Sequence, residues 1–189
     1  MNDDLHVENF SLIVVVTELM FIFAVFLNFL IFKINPVNFI HFNVKTLLIA
    51  IPITLLLTIA NIFALEFLYK YVSFFKKLKE AYDHIVPMLK KITFPEVIMI
   101  SLISGFAEEL FFRGVIQSVF GILIGALLFG GFHVGNKKTI PYGIYAMGIG
   151  FFFGYLFHVS NNLFLPISVH ILNNFIALNY MKYYYAKNY

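Results

Sequence analysis

Apolar runs long enough to cross a lipid bilayer recur through this 189-residue chain, near residues 10–32, 47–69, 95–114, 119–135, 142–159 and 162–181. A spanning helix needs ~20 mostly apolar residues. The pattern therefore predicts an all-α, polytopic transmembrane helical bundle of about six spans. Composition agrees: 61% of the residues are hydrophobic, 12% are charged and the mean hydropathy is +0.88, outside the usual range of a soluble domain. The first run follows Asp3, Asp4 and Glu8, with no basic residue before Lys33 and no small-residue cleavage site behind it. It reads as a retained helix and not as a signal peptide.

The chain has no cysteine, which excludes disulfides, thiolate metal ligands, a cysteine nucleophile and palmitoylation. Chemistry falls to Glu, His, Asn, Arg or Ser. Twelve of the 13 basic residues are lysine, and their distribution sets orientation. If six spans zigzag, Lys70, Lys76, Lys77, Lys79, Lys90, Lys91, Lys137, Lys138, Lys182 and Lys187 share one side with both termini, against Lys33 and Lys45 opposite. Both termini are expected to be cytoplasmic. The basic balance is juxtamembrane, suited to a lipid surface and not to nucleic acid.

The chain divides into residues 1–93, two spans and a basic segment, and residues 94–189, which carry the catalytic core in the last four spans. In the first part Glu18 sits inside an apolar run. An intramembrane glutamate marks function by default, but a structural role, hydrogen-bonded to a neighbouring helix, is the expectation here. Glu66 is expected to reach the interface beside Lys70. Residues 71–92 mix apolar side chains and lysines at helical spacing, which suits an interfacial amphipathic helix, but an ordinary surface helix with a break at Pro87 is the expectation. Thr93 and Glu96 have capping-box spacing, with Pro95 in the first turn, so Glu96 starts a helix. Beyond it, Ser101 with Gly105, Gly121 with Gly125 and Gly150 with Gly154 have the small-xxx-small spacing that lets membrane helices approach closely. Tyr183 to Tyr185 suit an interfacial aromatic belt.

Three polar patterns lie in the second part. In GFAEELFFRG, Glu109 and Arg113 are four apart and share a helix face, while Glu108 is rotated ~100° from its neighbour. In FGGFH, His133 follows Phe129 by four, with Gly130 and Gly131 leaving space around the imidazole. In HILNN, His170 and Asn174 are four apart. These groups suit hydrolysis. Glu108 would take a proton from a water held jointly by His133, and the Asn174 amide, with His170 beside it, would stabilise the oxyanion formed on a peptide carbonyl. Arg113 would fix and neutralise Glu109. Straight helices do not align them, since Glu108 lies ~20 Å along its span while His133 ends the next. The helices must be offset or broken, or their boundaries differ.

The order EExxxR, FxxxH, HxxxN resembles the CAAX protease and bacteriocin-processing family, the Rce1-like or Abi-domain intramembrane glutamic proteases, over about residues 94–181. The resemblance implies a metal-independent endopeptidase without a cofactor. In it Glu108 and His133 activate water, His170 and Asn174 form the oxyanion site, and Glu109, Arg113 and Phe129 orient them. It also implies a peptide or membrane-protein substrate, prenylated in some relatives. A zinc protease is a second reading, disfavoured by the lack of HExxH. A non-catalytic immunity or scaffold protein acting by binding is a third. His6, His41, His84 and His158 are read as structural. The Lys, Asn, Ile and Phe bias points to the cytoplasmic membrane of a prokaryote.

Overall fold

The computed structural model of the chain describes residues 3–89 and 92–185, except for the side chains preceding Leu12 and those of Ile13 and Met88. Lys90, Lys91 and Lys187, counted above with the cytoplasmic lysines, lie outside the described residues, as do the side chains of Asp3, Asp4, His6 and Glu8. Every element among the described residues is helical: α1 (Asp3–Phe32), α2 (Val44–Glu66), α3 (Ser73–Leu89), α4 (Phe94–Glu109), α5 (Ser118–Phe132), α6 (Ile140–Ser160) and α7 (Phe164–Tyr180). Short 3-10 turns and two π-helical segments, Leu110–Gln117 and Met181–Tyr185, join or extend them.

Among the described residues four segments are long and apolar enough to cross a membrane: Val14–Phe32, Val44–Lys70, Phe94–Phe132 and Lys137–Ser160. Two of the expected runs take a particular form. The runs 95–114 and 119–135 belong to one helical path that folds back on itself, and the run 162–181 falls on α7, which is 17 residues long.

The fold-back occurs at Gly121, whose φ of 85° and ψ of 170° interrupt the helix. Only glycine adopts that backbone region without strain. The return leg packs antiparallel on the outgoing one: Phe129 lies 5.2 Å from Phe112 ring to ring, and Phe132 5.8 Å from Phe112. The connection expected at Gly114 to Val119 is helical, and the reversal comes after it. His133 stands twelve residues beyond Gly121, and Glu109 twelve before it. A short return leg therefore brings His133 level with the Glu109 turn, which two straight spans cannot do.

Local chemistry accounts for the helix starts. Asn43 Oδ1 accepts from Thr46 N at 2.7 Å to open α2. The capping box forms at α4, where Glu96 Oε2 accepts from Thr93 N at 2.6 Å and Thr93 Oγ1 from Glu96 N at 3.4 Å, satisfying donors that the first helical turn leaves over. At the opposite end of the bundle Asn161 ends α6 in the left-handed conformation (φ 47°). The next side chain, Asn162, bonds both the N–H and the carbonyl of His41 at 3.0 Å, clamping the α1–α2 connection onto the α6–α7 turn.

The core is built where α4 meets α7. Gly105 lies so close to α7 that an added Cβ would come within 2.9 Å of the Ile171 backbone nitrogen, which is the close approach that small-xxx-small spacing anticipates. Gly130 is likewise closed against Gly143, while Gly131 faces open space. The pair thus gives the histidine room on one side only.

Helix α3 carries its apolar face, Leu78, Val86 and Leu89, against Val97 and Ile100 of α4 and Met181 and Tyr185 beyond α7. It packs on protein through that face, and Pro87, expected to break it, lies inside the helix. Lys79 is buried with its ammonium 4.6 Å from the Tyr69 and Tyr185 ring centroids. Of the tyrosine cluster, Tyr183 and Tyr184 are exposed, but Tyr185 is buried and donates to Asp83 Oδ1 at 2.8 Å. Glu66 also departs from expectation, accepting from Tyr180 Oη at 2.7 Å and so tying α2 to α7.

Candidate active site

The three polar patterns converge where α4, the π-helical segment, α5 and α7 meet. Glu109, on the last turn of α4, has no exposed surface. Its Oε1 accepts from His170 Nδ1 of α7 at 2.8 Å and faces Arg113 Nη1 at 3.1 Å. Arg113, also buried, spends its second terminal nitrogen on the Gly150 carbonyl of α6 at 2.9 Å. The Phe129 ring stands 4.4 Å from the guanidinium carbon and the Phe153 ring 5.5 Å from it. A buried charge so paired, bonded and faced by aromatic rings escapes the cost of an orphaned ion. One cluster thereby pins four segments together.

Phe129 does a second thing. Its carbonyl lies 2.7 Å from His133 Nδ1, and since a carbonyl only accepts, Nδ1 carries the hydrogen and Nε2 of the neutral ring is left as an acceptor. The four-residue spacing of FxxxH thus fixes a tautomer. His133 sits just past the end of α5, with its ring 5.7 Å from that of Tyr142 on α6.

One helical turn before Glu108, Ser104 Oγ accepts from Asn174 Nδ2 at 3.0 Å and donates to the Ile100 carbonyl at 2.8 Å. Asn174 keeps a second amide hydrogen. Glu108 is buried, and its Oε2 meets no donor among the described residues. The carboxyl of Glu18, from α1, faces it within hydrogen-bonding range, and Tyr142 is near enough to sense its charge. All seven residues singled out by spacing therefore belong to one cluster. Glu109, Arg113 and His170 form its bonded centre, and Asn174 and His133 are anchored through Ser104 and the Phe129 carbonyl.

Further polar residues beside this cluster escape a motif search. Ser104 hides inside a small-residue stripe. Tyr142 and Tyr145 belong to no motif, yet Tyr145 Oη donates to Asn61 Oδ1, and Asn61 Nδ2 donates to Asn173 Oδ1 at 3.4 Å. Asn61 was the available signal, as an amide in the middle of a span otherwise poor in polar groups. Two clefts that share Lys137 open elsewhere, and Glu108 lines neither. One, of about 540 Å³, is lined by His84, Asn136, Lys137 and Lys138, and the other, of about 480 Å³, by residues including Phe74, Lys77 and Ile140.

The sequence model of one protein family matches residues 90–176, and its description is type II CAAX prenyl endopeptidase Rce1-like. Residues 90–176 are thus similar to the Rce1-like family. The matched segment runs from just before α4 past Asn174 and so contains all three motifs and Ser104, while α1, α2 and α3 lie outside it. Among curated proteins the chain is 31% identical over 85 residues to "Uncharacterized protein YpbD" of Bacillus subtilis (strain 168). That match covers 45% of this chain and 45% of the relative, so the chain spans about half of that relative's length. No solved structure matches the chain.

Proposed function

We propose that this membrane protein is an intramembrane endopeptidase of glutamic type, independent of metal, with its working groups held by the Rce1-like segment. The observation that carries the reading is the convergence of the three motifs on one buried cluster, tied by the His170–Glu109 and Asn174–Ser104 bonds. Scaffolding alone would not call for both a histidine whose tautomer is fixed by a carbonyl and a buried glutamate oxygen that no described protein group satisfies. Unsatisfied buried polar atoms are rare and ask for a ligand or a reaction.

In the proposed reaction Glu108 and His133 Nε2 hold one water. Its oxygen attacks the scissile carbonyl carbon as Glu108 removes a proton. The oxyanion is met by the spare amide hydrogen of Asn174, with His170 beside it, and their prior fixing by Ser104 and Glu109 means that little reorganisation is required when charge develops. Glu109, Arg113 and Phe129 act on position. The leaving amine takes the proton from Glu108.

The substrate in this reading is a peptide or membrane protein, prenylated or not, reaching the cluster from the side of the basic clefts beside Lys77, Lys137 and Lys138. The lysine distribution puts that side, and both termini, in the cytoplasm.

The test is mass spectrometry of a mixed peptide and prenyl-peptide library after incubation with detergent-purified protein, wild type beside Glu108→Ala. Fragments made by wild type alone support the reading and disclose the substrate class. Equal cleavage by folded Glu108→Ala refutes the general base. Binding without cleavage by folded wild type favours the immunity or scaffold alternative.

A further inference from the structure

Glu18 belongs to none of the three motifs and lies outside the Rce1-like segment, yet α1 delivers it to Glu108. Val14 packs in the cluster of Val97 and Ile100, and Phe21 in that of Ala107 and Phe112. Further along, Phe32 meets Phe120 at 6.3 Å. These contacts run in the same order on both helices, so α1 lies parallel to α4, and Glu18 falls between its flanking contacts at the turn of Glu108. Phe21, one turn further on, is locked by Phe111 at 5.0 Å and Phe112 at 5.2 Å, which fixes the rotation of α1 about its axis. Both carboxyl groups are buried, at 4% exposure for Glu18 and 7% for Glu108, and they face each other at hydrogen-bonding range. The Oε2 atom of each has no hydrogen-bond partner among the described residues.

Two ionised carboxylates only accept hydrogen bonds and repel strongly where solvent does not screen them. A bond between them requires one hydrogen. The surrounding charges do not remove this requirement. Arg113, the cation that senses Glu108, is already paired with Glu109. Glu109 is bonded to His170. Tyr142 of α6, near enough to sense Glu108, is a phenol and brings no positive charge to the pair.

We propose that Glu18 is a positioning residue that shares a single proton with Glu108, so that the general base works as one half of a carboxyl pair. This rests on the hydrolytic reading above. The proton balance closes. The resting pair holds one proton, and attack by water adds a second to the Glu108 side as the C–O bond forms. The pair passes one proton to the amine nitrogen as the C–N bond breaks, returning to its resting state. Glu18 holds the shared proton throughout, keeping the Glu108 carboxylate oriented toward water.

The test compares wild type, Glu18→Gln and Glu18→Asp in detergent by infrared spectroscopy of protonated carboxyls, by thermal unfolding and by kcat and KM across pH. Folded Glu18→Gln is expected to lose one protonated-carboxyl band, to keep KM within about twofold and to lose about tenfold or more in kcat, the lower part of the range for a proton-transfer group. Its pH profile should change shape. Wild type is active as the singly protonated pair, so its activity falls when the pair gains a second proton at low pH and when it loses its proton at high pH. Glu18→Gln retains only the acid fall. Glu18→Asp should recover part of kcat with a shifted band. An unchanged band in folded Glu18→Gln, or an unchanged kcat and pH profile, overturns the proposal. If Glu18→Gln does not fold, an unshifted band in Glu18→Asp overturns it. Failure of wild type to cut any peptide would overturn the hydrolytic reading, while the band would still decide the pairing.

Discussion

His170 donates its Nδ1 hydrogen to Glu109 Oε1 at 2.8 Å, and that same oxygen faces Arg113 Nη1 at 3.1 Å. Two helices that meet late in the sequence are held by one carboxylate oxygen. The second glutamate of the EExxxR pattern is thus held by both partners through one oxygen, and the proposed reaction assigns the water to Glu108.

Removing Arg113 should destabilise the protein more than it alters the chemistry directly. Arg113→Ala leaves Glu109 buried without its cation and is expected to cost about 3–5 kcal/mol, the range for breaking one side of a buried pair. Thermal unfolding in detergent reads the loss. A stability equal to wild type would contradict the pairing.

Glu108→Ala and His133→Ala should each reduce kcat by about 10²–10⁴-fold, the range for a proton-transfer group, while the unfolding temperature stays within a few degrees of wild type. Neither side chain holds the bonded centre together. Initial rates beside melting curves on the same preparations separate catalytic loss from unfolding.

Asn174→Ala should lower kcat by about 10²–10³-fold, as removal of an oxyanion donor does. Ser104→Ala keeps that amide but frees it to rotate, so its kcat should fall between wild type and Asn174→Ala, with KM nearly unchanged. A Ser104→Ala enzyme indistinguishable from wild type would show that the 3.0 Å bond does not position the amide.

Gly121→Ala separates backbone geometry from packing. An added Cβ meets nothing within 4 Å, so its cost arises from the backbone angles alone, about 1–3 kcal/mol. Relaxation of the bend would move His133 relative to Glu108. We expect a lowered unfolding temperature together with reduced kcat, measured as above.

Chelators should leave cleavage unchanged. Peptide turnover assayed with and without EDTA and 1,10-phenanthroline checks this, and a loss restored by added zinc would replace the glutamic mechanism with a metal-dependent one.

Spacing alone made much of the site legible. Four-residue intervals put Glu109 beside Arg113 and foretold that Phe129 and His133, like His170 and Asn174, share a face, because those relations depend only on helical period. What stayed hidden depends on contacts between elements. The reversal at Gly121 was taken for part of a close-packing stripe, since Gly121 and Gly125 fit that spacing as well as Ser101 and Gly105 do. The form of the fourth run stayed hidden for the same reason, as hydropathy cannot distinguish a straight crossing from a leg that folds back. Glu66 and Tyr180 are 114 positions apart, and nothing local marks them as partners. Glu18 could be recognised as costly in lipid, but what it faces is set by how α1 packs on α4.

The bend at Gly121 also makes the chain its own measuring rod. Twelve residues lead into it from Glu109 and twelve lead out to His133, so the depth at which the histidine stops is counted in residues and anchored by no bond to the opposite leg. Each residue added to one leg would carry its end ~1.5 Å along the axis and swing it by ~100°. Insertions after Val134 should be absorbed by the turn there, whereas a single insertion between Glu109 and His133 should dismantle the site while leaving every catalytic side chain in the sequence.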